Sequence, residues 1–199
     1  MRRHLILFVR APALGTGKRR LAREIGDIAA LRFERLMLAR LLRRLASNRR
    51  WRLRIAVTPD RARRRAGFWQ SGTEAFGQGT GDLGLRMRRA MRDCSPGPVV
   101  LVGADIPALA ARHIWAAFAL LGTHDLVFGP AADGGFWLVG ARHPRQLPRL
   151  FQQVRWSSPN ALADTLAGLP RGITTGFVEQ LEDVDDAEAY HRLRPSGGF

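Results

Sequence analysis

Three short segments of the chain carry residue types that could bind a phosphate or move a proton. The first is the loop 11–21, APALGTGKRRL, which lies between an apolar run and a segment of helical period. Its Lys18 is the only lysine among 32 basic residues. A loop of small residues brings backbone N–H groups and a compact ammonium charge toward an anion, and phosphate is the usual anion at such a place. The loop therefore predicts a nucleotide-binding site, with the candidate residues Arg10, Pro12, Gly15, Lys18 and Arg20.

This loop matches neither of the two common phosphate-binding motifs. A P-loop has Gly where Pro12 stands and Ser or Thr where Arg19 stands. The dinucleotide fingerprint has a third Gly where Arg20 stands. Both motifs are excluded, and an arginine-rich composition could also have left a single lysine here by chance.

The second segment is a carboxylate that follows a continuous apolar run. Asp105 lies in the sequence GADIP, directly after residues 99–102, VVLV. Such a carboxylate is well placed to hold Mg²⁺ or Mn²⁺ against a diphosphate, because both ions prefer oxygen ligands. A lysine about 4 Å from one phosphate charge contributes roughly 4 kcal/mol near a surface, so Lys18 alone would leave a diphosphate under-neutralised. We therefore expect Asp105 to be a metal ligand and a catalytic residue; alternatively, it caps a helix that starts near Ala108.

The third segment contains two adjacent glycines between predicted strands. In residues 128–140, FGPAADGGFWLVG, Gly134 and Gly135 let the backbone pass close to a bound molecule. Asp133 then offers a carboxylate to sugar hydroxyls or to the proton of an acceptor, which would make it a catalytic residue. The same residues also fit an ordinary Asp-Gly hairpin turn, and the sequence leaves both interpretations open.

Two further candidates come from a glycine-rich loop and an acidic segment. Gln78, Gly79 and Asp82 belong to the loop QGTGDLG, which precedes a helical segment and is flexible enough to enclose a nucleobase or a ribose. Asp185 lies in residues 182–186, EDVDD, after the last predicted strand. Asp185 could complete the metal site, or it could only cap the terminal helix.

The elements that must position these residues alternate between strands and helices. Predicted strands, rich in Val, Ile, Leu and Phe, span residues 5–9, 54–58, 73–76, 99–102, 125–129, 136–140 and 173–178. Predicted helices span residues 28–47, 61–69, 83–94, 110–121, 160–167 and 185–193. Because strands such as 99–102 are continuously apolar, the pattern favours a three-layer α/β sandwich with a mostly parallel sheet covered by helices on both faces. Ligands in such sheets bind beyond the carboxyl ends of the strands.

Length and composition favour one domain in a reducing compartment. A chain of 199 residues can bury about 70% of its unfolded surface in one core. We assign residues 1–194 to this domain and residues 195–199 to a flexible tail. The single cysteine, Cys94, excludes an internal disulfide, and no window approaches the ~20 apolar residues of a membrane span. We therefore expect a cytoplasmic protein.

The net charge of +15 is concentrated in the first part of the chain. Residues 1–70 hold 20 Lys or Arg and 4 Asp or Glu, a net charge of +16. Arginine clusters near Trp51 and Trp69 could grip a nucleic-acid backbone or an anionic membrane. Arginines on the outer faces of helices are more often simply solvated. Nucleic-acid binding therefore ranks below the two enzymatic functions, glycosyl transfer and nucleotidyl transfer, that the motifs indicate.

Taken together, the motifs resemble one bacterial family. These motifs are F-x-R-x-P-x-x-G-x-x-K-x-R-L from Phe8, Q-G-x-G-D-L-G-x-R-M from Gln78, G-x-D-x-P-x-L from Gly103, G-P-A-x-D-G-G-F-W-L-V-G from Gly129, W-S at Trp156 and D-V-D from Asp183. Their order and spacing, from Phe8 to about Tyr190, are similar to those of the arsenosugar-biosynthesis-type glycosyltransferases.

The resemblance implies a GT-A-like, Rossmann-like fold, similar to that of the phospholactate and molybdenum-cofactor guanylyltransferases. It also implies a nucleotide at the Lys18 loop and the loop 78–84, a divalent ion at Asp105 and an acceptor near residues 133–135. The corresponding activity is that of a metal-dependent glycosyltransferase. Such an enzyme moves a sugar from a nucleoside-diphosphate sugar to a small acceptor, with Mg²⁺ or Mn²⁺ as cofactor.

The segment that contains Asp105 departs from this family. The family usually has Ser, Cys and Asp where this chain has Ala104, Ile106 and Ala108. Asp105 is thus the sole carboxylate of its segment, without the Asp-x-Asp pair common in GT-A glycosyltransferases. The departure favours the alternative function, a guanylyltransferase-like nucleotidyltransferase that acts on a nucleoside triphosphate and a phosphorylated small molecule.

Overall fold

The computed structural model of the protein describes residues 1–64, 69, 73–94, 96–147 and 149–182. Its main elements are β1 (His4–Arg10), α1 (Arg19–Ile25), α2 (Asp27–Ala46), β2 (Arg52–Thr58), β3 (Glu74–Gly77), α3 (Leu83–Arg92), β4 (Val99–Gly103), α4 (Ala111–Leu120), β5 (Leu126–Pro130), β6 (Phe136–Ala141), α5 (Ala161–Ala167) and β7 (Thr175–Phe177). Two short 3₁₀ helices, Asp60–Arg64 and Pro144–Gln146, lie in connecting segments. The predicted terminal helix 185–193, the tail 195–199 and Asp185 lie outside the described residues.

The strands form one seven-stranded sheet in the order β3-β2-β1-β4-β6-β5-β7. β6 runs antiparallel to both of its neighbours, and the other pairs of the sheet are parallel. Phe8 of β1 pairs with Gly103 of β4, so the residues that follow these two strands meet at one edge of the sheet. β6 begins at the same edge, because Val102 of β4 pairs with Leu138.

Helices cover both faces of the sheet, as its apolar strands require. Side chains alternate along β1, so that Leu5 and Leu7 join the core under α2 and α4, while Ile6 and Phe8 face α3. Residues 99–102 of β4 are each less than 5% exposed, because both faces of this strand are covered. The prediction of a three-layer α/β sandwich with a mostly parallel sheet is confirmed.

Most predicted elements agree with the structure to within a few residues. The main difference is at residues 61–69, where a helix was expected; the described part of this segment is the short 3₁₀ helix Asp60–Arg64. α1 and α2 are separate helices because Gly26 between them has a φ of 84°, which interrupts the helical backbone. Of the helices in the described part of the chain, none is long and apolar enough to cross a membrane.

Candidate active site

A cavity of about 660 Å³ opens at the carboxyl ends of β1 and β4. This is the position at which parallel sheets bind ligands. The residues that line it include five of the sites predicted from the sequence, Arg10, Pro12, Lys18, Arg20 and Asp105. The ammonium group and the carboxylate that were expected to clasp a diphosphate therefore belong to one cavity.

The loop that carries Lys18 makes a tight turn before α1. Thr16 donates hydrogen bonds from its backbone N–H and its hydroxyl to the carbonyl oxygen of Ala13, at 3.2 and 2.9 Å. Gly15 has a φ of 70°, a left-handed conformation that favours glycine, and it does not line the cavity. Gly15 therefore shapes the turn, whereas Lys18, directly before α1, lines the cavity.

Asp105 lies two residues beyond the end of β4 and does not cap a helix. α4 begins at Ala111, with Ala110 at the N-cap position. The backbone N–H of Ala110 donates to Nδ1 of His113 at 3.0 Å. A Cβ atom on Gly103 would lie 2.7 Å from Asp105 Oδ1, so the carboxylate folds back over the end of its own strand. The capping interpretation of Asp105 is therefore wrong.

Asp105 is the predicted metal ligand that lines the cavity. Among the described residues, no group of three His, Cys, Asp or Glu side chains is arranged to bind a metal. Asp105 supplies one hard oxygen donor at the cavity, and Mg²⁺ is often held by one or two carboxylates plus substrate phosphates. Asp105 thus fits an ion that arrives with a diphosphate. Asp185, the predicted second carboxylate, lies outside the described residues.

Gln78 supports the edge of the sheet rather than the cavity. Its side chain is 2% exposed, and Nε2 donates to the carbonyl oxygens of Val9 and Ala56 at 3.1 and 2.9 Å. Its Oε1 accepts a hydrogen bond from Arg86 at 2.9 Å. The side chain therefore ties β1 to β2 at their carboxyl ends and does not line the cavity.

Gly79 and Asp82 also have structural contacts and do not line the cavity. The guanidinium group of Arg89 lies against Gly79, where a Cβ atom would overlap with it. Oδ1 of Asp82 accepts a hydrogen bond from the backbone N–H of Leu85 at 2.7 Å and so caps α3. A nucleotide bound by this loop would have to replace contacts within the protein, and the predicted binding role of the loop stays a prediction.

Asp133, Gly134 and Gly135 form the hairpin between β5 and β6, at the same edge of the sheet as the cavity. Asp133 is exposed, and its Oδ1 accepts a hydrogen bond from the backbone N–H of Gly135 at 2.9 Å. Gly134 has a φ of 83° and packs against the backbone of Pro159. The next residue, Phe136, lines the cavity, whereas the three hairpin residues do not. The segment is thus a hairpin turn, and a role for Asp133 beside an acceptor stays a prediction.

The segment after β7 contacts Trp137, one of the residues that line the cavity. Trp137, a lining residue, donates from Nε1 to the carbonyl oxygen of Glu179 at 3.2 Å. The ring of His113 lies 5.8 Å from that of Trp137, and its Nε2 is 2.5 Å from Glu179 Oε1. Burial lowers the pKa of His113, while the Glu179 carboxylate opposes this effect. The chain then passes Ala131, which forms a bridge with Leu181 beside the Asp133 hairpin.

Glu34 lines the cavity, although no sequence motif predicted a role for it. It belongs to α2 and lines the cavity together with Lys18. Its carboxylate lies against Gly17 so closely that a Cβ atom on this glycine would overlap with it. A fixed negative charge is thus present beside the loop that was predicted to bind phosphate. The available sequence signal was that Glu34 is the sole acidic residue among residues 28–59.

Glu34→Gln is expected to tighten the binding of inorganic pyrophosphate by about tenfold in the absence of metal. Two like charges about 8 Å apart repel by roughly 2 kcal/mol at an effective dielectric constant near 20, before salt screens them. Isothermal titration calorimetry in EDTA measures the change, and Glu24→Gln on the exposed surface of α1 is the matched control. An unchanged or weaker affinity of Glu34→Gln would show that this carboxylate does not oppose the anion.

One side of the cavity is apolar, and the sequence did not reveal it. We call it the apolar wall; it consists of Phe8, Leu83, Met87, Leu101, Phe136 and Val139. Strand alternation turns its members in β1, β4 and β6 toward the face that α3 covers, and α3 supplies the rest. Phe8, Leu83 and Phe136 are only partly buried. The cavity therefore joins a charged rim to an apolar surface.

The fold is that of the nucleotide-diphospho-sugar transferase fold class. A proposed nucleotide-diphospho-sugar transferase from Desulfovibrio desulfuricans G20 is similar, with a TM-score of 0.88 and 27% sequence identity over 98% of this chain and 88% of that one. Within this class, the chain belongs to the family described as uncharacterized protein conserved in bacteria (DUF2064), whose sequence profile matches residues 41–158.

Two more distant structures share the fold alone. CMP:2-keto-3-deoxy-manno-octonic acid synthetase, solved with CTP, has a TM-score of 0.64 and 13% identity over 98% of both chains. Rv0371c from Mycobacterium tuberculosis H37Rv, solved with manganese, has a TM-score of 0.62 and 17% identity over 98% of this chain and 100% of that one. No curated protein matches the sequence. The predicted fold class is confirmed, and the family is DUF2064.

Proposed function

We propose that the protein is a transferase that uses a nucleoside-diphosphate sugar and a divalent ion, Mg²⁺ or Mn²⁺, to glycosylate a small acceptor. One observation carries the proposal: the Lys18 loop and Asp105 line one cavity at the carboxyl ends of adjacent parallel strands. The likeness to the Desulfovibrio protein supports a nucleotide-sugar donor. The resemblance of the motifs to arsenosugar-biosynthesis-type glycosyltransferases supports sugar transfer in particular.

The charges that line the cavity suit a diphosphate. Four cations and two carboxylates give the lining a net charge of +2, and they are Arg10, Lys18, Arg19, Arg20, Glu34 and Asp105. A diphosphate carries two or more negative charges, so the positively charged lining would attract it. Partial exclusion of water by the walls of the cavity strengthens each of these attractions relative to bulk solvent.

Each residue has one task in this proposal. Lys18, Arg10 and Arg20 bind the diphosphate and fix its orientation, which lowers the entropic part of the barrier. Asp105 holds the divalent ion, which when bound would offset the charge on the departing nucleoside diphosphate. Asp133 accepts the proton of the acceptor hydroxyl. Asp185 is the proposed second carboxylate for the ion.

A nucleotidyltransferase is the second candidate, and one observation favours it. Asp105 is the sole carboxylate in residues 103–109, so the cavity does not have the Asp-x-Asp pair that the resemblance to sugar transferases would lead one to expect. In this case the donor would be a nucleoside triphosphate and the acceptor a phosphorylated small molecule. The leaving group would be pyrophosphate, which the same cations could bind.

The two functions release different products. The purified protein is incubated with nucleotide sugars and with nucleoside triphosphates, each in Mn²⁺ and in EDTA, while thermal unfolding reports binding. We expect a nucleotide sugar to raise the unfolding temperature and, by slow transfer of its sugar to water, to release its nucleoside diphosphate only with metal. Pyrophosphate from a triphosphate would establish the second function instead. Absence of binding and of both products across the panel would contradict both transferase functions. In that case, binding to DNA or RNA that falls steeply with salt would favour a nucleic-acid-binding protein.

A further inference from the structure

The apolar wall lies directly beside the proposed reaction centre. Phe8 and Gly103 pair in adjacent parallel strands, so their side-chain positions point to the same face of the sheet. A Cβ atom built on Gly103 would lie 2.7 Å from Oδ1 of Asp105, so the Asp105 carboxylate lies beside the side-chain position of Gly103. The carboxylate therefore sits on the same face as the Phe8 ring. A molecule on the wall would be next to the diphosphate that Asp105 and Lys18 are proposed to hold.

Neighbouring aromatic rings hold the wall in place at Phe136. The Phe136 ring stacks on Phe151 with centroids 6.0 Å apart and an interplanar angle of 14°. It also meets the edge of Trp156 at 6.2 Å and packs against Phe128 at 5.5 Å. Because three rings fix it, Phe136 presents its remaining surface to the cavity without having to be ordered by a ligand.

The chemistry of the wall selects against a hydroxyl-rich molecule. All six side chains of the wall lack hydrogen-bonding groups, apart from the weak acceptor sulfur of Met87. Hydroxyl groups pressed against it would lose hydrogen bonds to water and find no replacement. Apolar surface placed there would instead be removed from water, which is favourable in proportion to its area. The opposite rim, with Arg10, Lys18 and Arg20, attracts an anionic end.

We propose that the acceptor of this enzyme has an apolar body, an aromatic ring or a hydrocarbon chain, that lies on the apolar wall while its reacting end faces Asp105. That the bound molecule is the acceptor rests on the proposed function, whereas the preference of the wall for apolar molecules does not. By this assignment an apolar acceptor is preferred over sugars and small polyols. The substrate class is an apolar molecule with a polar or anionic end.

The place of the wall in the sheet favours the acceptor over the nucleobase as its occupant. The strand residues of the wall extend from β1 across β4 to β6, whereas the nucleotide loops predicted from the sequence follow β1 and β3; of the wall residues, Leu83 alone belongs to one of these loops. A diphosphate between Lys18 and Asp105 would therefore have the wall on its β6 side. The nucleoside would lie on the other side, the apolar body of the acceptor would lie on the wall, and the transferred sugar would lie between the diphosphate and the reacting end of the acceptor.

Two matched phosphates test the binding preference. Benzyl phosphate and glycerol phosphate have the same anionic end and differ in an apolar or a hydroxylated body. Isothermal titration calorimetry should show benzyl phosphate binding at least about tenfold more tightly, from the apolar area that the wall removes from water. Equal affinities, or tighter binding of glycerol phosphate, would overturn the proposal.

Two matched variants of α3 locate the effect. Leu83 lines the cavity, whereas Leu85, two residues later, is 37% exposed and does not. Leu83→Asn should abolish the preference for benzyl phosphate, Leu83→Met should keep it, and Leu85→Asn should keep it. An unchanged preference in Leu83→Asn would overturn the assignment to the wall. The methionine variant and thermal unfolding of all three proteins show whether loss of fold is the cause.

A nucleotide titration separates the acceptor from the nucleobase and from the proposed function itself. UDP, GDP and inorganic pyrophosphate are titrated with Mn²⁺ into the wild type and Phe136→Asn, because Phe136 is a wall residue of β6 and does not belong to the loop 78–84. The acceptor assignment is supported if Phe136→Asn leaves the affinities of all three unchanged while the protein stays folded in thermal unfolding. If it weakens a nucleoside diphosphate but not pyrophosphate, the wall holds the base, and the assignment is overturned. If none of the three binds the wild type while the preference for benzyl phosphate persists, the proposed function fails and the preference of the wall stands.

Discussion

Asp105→Asn is expected to lower the rate of the metal-dependent transfer by about two orders of magnitude without changing the fold. The substitution removes the negative charge and replaces one carboxylate oxygen by an amide nitrogen, which does not bind the divalent ion, and a loss of about 3 kcal/mol in transition-state stabilisation lowers a rate about 100-fold. The fold should tolerate asparagine, because Asp105 is partly exposed and follows the end of β4. The measurement is the initial rate of nucleoside diphosphate release in Mn²⁺.

Asp93→Asn is the matched control for this prediction. Asp93 is an exposed carboxylate at the C-terminal end of α3, and it does not line the cavity. Its variant should keep the wild-type rate. Binding of Mn²⁺ in the presence of inorganic pyrophosphate gives a second readout, and it should weaken in Asp105→Asn alone. Wild-type Mn²⁺ affinity and rate in Asp105→Asn would show that the ion is held elsewhere.

The juxtaposition of Lys18 and Asp105 was predictable because it depends on local patterns and one rule of sheet topology. The apolar runs 5–9 and 99–102 mark strands covered on both faces, and such strands are mostly parallel. Residues after the carboxyl ends of parallel strands lie at one edge of the sheet. The pattern did not show that β1 and β4 are direct neighbours. That pairing turns a shared edge into a shared cavity.

The role of Gln78 could not be predicted, because its partners are distant in the sequence. Its side chain donates to carbonyl oxygens 69 and 22 residues earlier, at Val9 and Ala56. A glycine-rich loop before a helix has the same composition whether it encloses a ligand or supports its own sheet. Only the packing of β1, β2 and β3 decides which of these occurs. The apolar wall was missed for the same reason, since its members come from three strands and one helix.

Aromatic rings explain part of the arginine excess in the first part of the chain. The guanidinium carbons of Arg3 and Arg50 lie 5.1 and 5.0 Å from the ring centre of Trp115. Arg54 lies 4.6 Å from the ring centre of Phe76. Such cation–π contacts stabilise the fold and cover aromatic surface. These arginines therefore have a structural role, which composition alone did not separate from an affinity for nucleic acid.

Gly134→Ala is expected to lower the free energy of unfolding by about 3 kcal/mol. The φ of 83° at Gly134 is a left-handed conformation, which costs an L-residue about 1–3 kcal/mol. A Cβ atom would also overlap with the backbone of Pro159, which cannot turn away as a side chain could. The hairpin cannot simply shift, because the carbonyl oxygen of Gly134 accepts a hydrogen bond from Leu162 of α5 at 3.1 Å. Urea denaturation should show a lower midpoint with an unchanged slope.

Gly135→Ala separates this packing requirement from a general need for glycine in the hairpin. Gly135 is not among the residues of positive φ, and the nearest atom to its added Cβ would be Asp133 Oδ1 at 3.1 Å. Because that oxygen ends a flexible side chain, the substitution should change the free energy of unfolding by less than about 1 kcal/mol. An equal loss of stability in both variants would contradict the role of Pro159. A large difference between them would mean that the protein's own backbone, rather than the approach of a ligand, requires glycine at position 134.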